Sequence, residues 1–232
     1  MSTTILSPHL DDAVLSCFAE VLAGARVITI YSGVPSAEAP VNGWDRTCGF
    51  DSPREHARVR LAEDEALMLD LGVVAERWGY VDFPNREYGP RPSLLELAQM
   101  FTASTADGDV LFAPIADLSP SPHPDHVDVK AAALATGRRV KLYADLPHAL
   151  KQVGEWPSPI GSAALPPAWA KNVPATPFDV YRLSLETVER KAAAMRAYAS
   201  QFRPLGRLRD VPSRRVLRRP EVYGIEVAWE AP

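Results

Sequence analysis

The chain has 232 residues, 47% hydrophobic and 23% charged, enough for one sizeable core or at most two small ones and too apolar for wholesale disorder. Twenty-five Lys and Arg against 29 Asp and Glu leave a net charge of −4, too mild to point to nucleic acid or a membrane surface. Cys17 and Cys48 are too few for a disulfide framework or a Cys-rich zinc site; with no apolar run near ~18–20 residues and no basic, apolar leader in MSTTILSPHLDD, the expected location is cytoplasmic.

Strand and helix patterns alternate. Residues 3–7 (TTILS) read as a strand, and residues 12–23 as a helix stopped by Gly24. The β-branched stretch 26–32 is a second strand, and residues 33–51 form a long loop. Ser52-Pro53-Arg54-Glu55 is a capping box with proline at the first helical position. The helix behind it runs to Asp70, with Val59, Ala62, Ala66 and Leu69 on one face. A strand over 73–82 and a helix over 92–105 follow, then the buried-strand pattern DVLFAPI at 109–115. Residues 126–136 read as a helix ending at Gly137, and 139–144 as a strand. The Pro-, Gly- and Ser-rich stretch 145–177 reads as a cover over a face or edge. A helix over 185–202 carries Leu185, Val188, Ala192, Met195, Ala199 and Phe202 at helical spacing, and a last strand is expected at 222–229.

This alternation predicts an α/β fold, a mostly parallel sheet with helices on both faces, as one domain over 1–232. In such sheets ligands bind beyond the carboxyl ends of the strands. Three of those ends carry chemistry: Pro8-His9-Leu10-Asp11-Asp12, His123-Pro124-Asp125-His126 and Asp145-Leu146-Pro147-His148. His9, Asp12 and His126 make a set suited to a catalytic zinc with an open fourth position. Asp11, beside a ligand, is a candidate general base, and His123, oriented by Asp125, a candidate acid or oxyanion stabiliser. Asp145 and His148 are the reserves for those roles.

SPHLDDAVLSC at 7–17 and HPDH at 123–126 resemble the paired motifs of the PIG-L/LmbE family of zinc-dependent de-N-acetylases. The likeness extends to Arg60-x-x-Glu63-Asp64 ahead of Leu71-Gly72, to YADLP at 143–147 and to Tyr198-Ala199-Ser200-Gln201. It implies a Rossmann-like three-layer fold and one Zn2+ held by His9, Asp12 and His126. It further implies Asp11 as general base, His123 as acid or electrophile with Asp125 as its partner, and Arg60 in contact with substrate. The substrate would be a small N-acylated compound, typically sugar-containing; no nucleic acid or membrane partner is expected, and a homo-oligomer stays open. Two departures stand out. Ala13 replaces an acidic residue frequent after the paired aspartates, and Ser121 stands where some members carry a tyrosine.

Blander roles exist for the same residues. His9 could be a core histidine, Asp12 or Asp125 a helix cap, His148 a loop residue rather than a substrate contact, and His56 a solvated side chain. Trp44-Asp45-Arg46 could be a lid or simple loop packing. Residues 203–219 hold seven arginines and one acid, read as a solvated or subunit-facing connection rather than a nucleic-acid site. The competing functions are a binding protein that keeps a metal site without chemistry, and a magnesium phosphoesterase, which two histidine ligands disfavour. A dinucleotide oxidoreductase is disfavoured by PHLDD where GxGxxG would sit.

Overall fold

A computed structural model describes residues 2–116, 122–146, 177–201 and 224–231. Seven strands form one sheet in the order β3-β2-β1-β4-β5-β7-β6. Strands β1 (Thr3–Ser7), β2 (Arg26–Thr29), β3 (Ala75–Arg77), β4 (Val110–Pro114) and β5 (Arg139–Tyr143) run parallel. Strands β6 (Phe178–Arg182) and β7 (Ile225–Glu230) close one side, β7 antiparallel to both β5 and β6. The α/β class with a mostly parallel sheet therefore holds.

The chain builds outward from β1 through β2 to β3, then returns to the other side of β1 for β4 and β5. The order reverses between β1 and β4, and a crevice opens above their carboxyl ends. Because parallel crossovers are right-handed, the reversal also puts the connecting helices on opposite faces. Helices α1 (Asp12–Ser16) and α4 (Pro53–Asp70) both pack against α7 (Leu185–Ala197) on one face, while α5 (Leu94–Ser104) and α6 (Pro124–Ala135) pack on each other. The core between the layers is continuous, from Ile5, Leu6 and Val27 to Leu111, Leu142 and Trp229.

Local chemistry accounts for most helix starts. Ser52 accepts from the Glu55 amide ahead of Pro53, and Ser93 and Glu96 form a reciprocal capping box. Gly33 lies so close to the backbone of Gly79 and Tyr80 that a β-carbon there would overlap the Gly79 carbonyl at 2.3 Å. This contact seats the loop after β2 against the one after β3.

Several expectations need correction. The helix expected over 12–23 breaks at Cys17 into α1 and α2 (Phe18–Leu22). The loop 33–51 contains a short helix, α3 (Gly43–Cys48), started by an Asn42–Asp45 capping box. The third strand shrinks from 73–82 to Ala75–Arg77. The last long helix ends at Ala197, with Leu185 67% exposed rather than on the core face. Strand β6 is an addition: Phe178 and Tyr181 are half-buried while Asp179, Val180 and Arg182 are exposed, so this edge strand shows no two-residue alternation. The α4 face named from apolar spacing is the wrong one. Leu69 is 83% exposed, while His56, Asp64, Leu67 and Met68 are buried. The inward face of α4 mixes His56 and Asp64 with Pro53, Leu67 and Met68, so apolar periodicity points away from it. Residues 147–176 of the expected cover, residues 203–219 and Ser121 lie outside the described residues.

Candidate active site

The site is assembled where the strand order reverses. After β1 the chain turns through Pro8–Asp11 into α1. Asp11 is the N-cap of α1, yet its side chain makes no capping bond. Ser7 replaces it: its hydroxyl accepts from the Ala13 amide at 3.1 Å and donates to the His9 carbonyl at 2.6 Å. The Asp11 carboxylate is thereby free, and its nearest cation is Arg60, 3.9 Å away. Asp12 folds back so that Oδ2 accepts from the His9 amide at 2.8 Å.

Three atoms then meet. His9 Nδ1 and His126 Nε2 each lie 3.3 Å from Asp12 Oδ2, and the two nitrogens lie 3.3 Å from each other. The edge of a tetrahedron with metal–ligand bonds of roughly 2.0–2.1 Å is about 3.3–3.4 Å. The triangle thus has the dimensions of one face of a tetrahedral zinc site. Two imidazole nitrogens sharing one carboxylate at this distance are poorly served by two protons and well served by one central cation. His123 gives a looser alternative, since one ring nitrogen each of His9, His123 and His126 lie within 4.8 Å of one another. The tighter set with Asp12 matches the sequence reading.

Each ring in the triangle is held from behind by a carboxylate. His9 Nε2 donates to Asp125 Oδ2 at 3.0 Å, and His126 Nδ1 to Asp145 Oδ2 at 3.2 Å. Asp145 is in turn fixed by the Ile115 and Ala116 amides, both at 3.0 Å, and Asp125 by the Phe83 amide at 3.0 Å. Such partners set which imidazole nitrogen faces the metal. Here the structure departs from the sequence reading. Asp125 was expected to orient His123, but its Oδ2 is 3.7 Å from His123 Nδ1 and bonds His9 instead. His123 is itself the N-cap of α6, with Nδ1 accepting from the Asp125 amide at 3.3 Å. That acceptor role assigns the proton of the neutral ring to Nε2.

Electrostatics follow from burial and partners. Burial disfavours a charged His9, but Asp12 and Asp125 outweigh it and raise the ring to about 9. His126 is likewise penalised by burial and carried well above its ordinary value by Asp12 and Asp145. Burial, then the neighbouring His9 charge, push His123 down to about 3, so it is neutral at pH 7. Burial works to raise Asp12, yet His126 and His9 hold it well below the usual carboxylate range. Asp11 moves the other way, raised by burial and by the adjacent Asp12 charge despite Arg60.

Arg60 projects from α4 and pairs with Asp82 Oδ2 at 3.2 Å besides reaching Asp11. It is mostly buried between these carboxylates, an ion-paired residue at the site wall. Asp82, Phe83 and the holding role of Asp145 were not singled out from the sequence. Only their positions just past strand ends could have marked them. His56 is not solvated: it is 3% exposed, with Nδ1 donating to Asp45 at 2.7 Å. His148 lies outside the described residues. Among the described residues, no helix is long and apolar enough to cross a membrane.

No family model matches the chain, and no curated protein matches it either. Solved structures do. The zinc-inhibited form of teicoplanin deacetylase Orf2 is similar with a TM-score of 0.66 and 21% identity, over 99% of this chain and 97% of that one. N,N'-diacetylchitobiose deacetylase from Pyrococcus horikoshii is similar with a TM-score of 0.51 and 19% identity, over 87% and 70%. GalB, the 4-carboxy-2-hydroxymuconate hydratase of Pseudomonas putida KT2440, is similar with a TM-score of 0.51 and 16% identity, over 100% and 97%. The chain shares the fold of these enzymes.

Proposed function

We propose that this chain, as a single domain over 1–232, is a cytoplasmic metal-dependent hydrolase that removes an acyl group from the nitrogen of a small, sugar-containing amide. The observation that carries the reading is the 3.3 Å triangle of His9 Nδ1, Asp12 Oδ2 and His126 Nε2, with the uncommitted Asp11 carboxylate beside it. Zinc fits this donor set, two nitrogens and one carboxylate oxygen. When bound there it would supply Lewis acidity, polarising an amide carbonyl and lowering the pKa of water.

The chain's own groups divide the remaining work. Asp11, raised above an ordinary carboxylate, takes the proton of the attacking water and then hands it to the departing nitrogen. His123, neutral with its proton on Nε2, donates a hydrogen bond to the oxyanion that forms at the carbonyl. Arg60 holds Asp11 from one side and, near the mouth, remains a candidate contact for substrate. His148 stays a proposed substrate contact. Asp125 and Asp145 keep the two imidazoles aimed. The resemblance of both motifs to the PIG-L/LmbE family supports this assignment, as do the deacetylase activities named for two of the structural relatives.

The fold alone does not choose, because it is shared with a hydratase. The deciding experiment is an acetate-release assay of the zinc-loaded protein on N-acetylated sugars and sugar-bearing secondary metabolites. Release of one acetate per new amine is expected. Zinc bound without acetate release from any of them would favour a metal-binding protein or water addition to a double bond.

A further inference from the structure

Trp44 is 41% exposed, yet its polar edge is tied into a buried hydrogen-bond network. Its indole Nε1 donates to Gln201 Oε1 at 3.2 Å. Gln201 Nε2 donates to His56 Nε2 at 2.8 Å, and His56 Nδ1 donates to Asp45 Oδ1 at 2.7 Å. Asp45 closes the circuit, its other oxygen accepting the Asn42 amide at 3.0 Å, while Asn42 Oδ1 accepts the amides of Trp44 and Asp45 at 2.8 and 3.0 Å. Phe50 stacks on His56 with ring centres 4.5 Å apart. Gln201, His56 and Asp45 are at most 5% exposed. Every donor in this chain points the same way, ending on a carboxylate, so the indole has one orientation. Packing a loop does not require three buried polar side chains, one of them drawn from 145 residues along the chain. Holding an exposed ring still does.

The network that holds the ring borders the wall of the site. His56 and Arg60 are one turn apart on α4 and face the same way, and Arg60 reaches Asp11. With its N–H spent on Gln201, Trp44 offers a ligand only its apolar face. That face suits the axial C–H bonds of a pyranose ring and offers little to a flexible acyclic amide.

Resting on the hydrolase reading above, we propose that Trp44 is a specificity-determining residue, a fixed platform on which the sugar ring of the N-acylated substrate stacks, with Gln201, His56 and Asp45 as its positioning residues. The test compares N,N'-diacetylchitobiose with N-acetylethanolamine, an acyclic amide, on the zinc-loaded protein. Trp44→Ala is expected to reduce the preference for the sugar, as a ratio of kcat/KM values, by about threefold to tenfold, the scale of one aromatic contact, chiefly through KM. Trp44→Phe keeps a ring and should keep much of the preference, and Gln201→Leu should fall between the two. An unchanged ratio in Trp44→Ala overturns the proposal. If the parent cleaves neither compound, the hydrolase reading fails only where the wider panel above releases no acetate either. Trp44 is then judged on binding alone, by quenching of tryptophan fluorescence with N,N'-diacetylchitobiose in the metal-free protein. Quenching in the parent that Trp44→Ala abolishes sustains the platform, and its absence in the parent overturns it.

Discussion

Asp125 Oδ2 lies 3.0 Å from His9 Nε2, across 116 residues of chain. The carboxylate that HPDH contributes thus serves a histidine of the first motif, not its own neighbour His123. The second motif thus holds the first motif's imidazole in place, because α6 and the turn after β1 face each other over the crevice.

Asp125→Asn should weaken zinc binding by about 10- to 100-fold, the scale on which such carboxylate partners act. Competition with a chromophoric chelator measures it. Had Asp125 acted only through His123, zinc affinity would stay at the parental value while turnover fell.

Asp11→Asn and His123→Ala should retain zinc. The first removes a proton acceptor, expected to reduce kcat by roughly 10²–10⁴-fold. The second removes an oxyanion donor, expected to reduce it by roughly 10²–10³-fold. Single-turnover kinetics with metal content measured on the same samples separates these effects from loss of the ion. Loss of zinc from His123→Ala would instead support the looser three-histidine set.

The metal-free and metal-bound proteins should respond to pH in opposite senses. The charged His9 ring, raised from 6.5 to about 9, stabilises the metal-free fold fully below pH 6.5, and that contribution is lost as pH rises through about 9. Zinc must displace this proton, so zinc affinity rises over the same interval. Melting the metal-free protein at pH 6.5 and 9.5 should give the lower Tm at the higher pH for this group, and the increment in Tm on adding zinc should be larger there. His9→Gln should flatten both trends.

Glu226→Gln should be strongly destabilising. Its carboxylate accepts the Phe18 and Ala19 amides, both at 2.8 Å, and the fully buried Lys191 at 2.5 Å. Removing the negative charge leaves Lys191 buried against a neutral amide, a change on the order of 3–5 kcal/mol. Urea unfolding of the metal-free protein measures it. Lys191→Met together with Glu226→Gln should recover part of the loss.

The parts of the site legible in the sequence are those written in adjacent residues. PHLDD and HPDH each follow a strand and can be read without knowing what lies opposite. The partners Asp125–His9 and Asp145–His126 were not legible as pairs, since they depend on how strands distant in the chain line up. The inward face of α4 was misread for a different reason. His56, Arg60 and Asp64 are buried through hydrogen bonds and ion pairs, and polar burial leaves no hydrophobic period. β6 escaped because Phe178–Arg182 follows a Pro-, Gly- and Ser-rich stretch and carries no apolar–polar alternation. The order of the layers was legible because strand–helix alternation and right-handed crossovers leave few arrangements.

The latch between Glu226 and the start of α2 has a consequence for the timing of biogenesis. The first motif leaves the ribosome before the groups that seat it. Tyr198 on the Leu10 carbonyl at 2.9 Å and Glu226 on the Phe18 and Ala19 amides of α2 lie 188 to 208 residues further along the chain than their partners. A nascent chain therefore exposes His9 and Asp12 to cellular metal long before their geometry exists. Under the proposed zinc reading, capture of the ion would follow the synthesis of Glu226, governed by the free-metal pool the chain then meets rather than by the order of its own motifs.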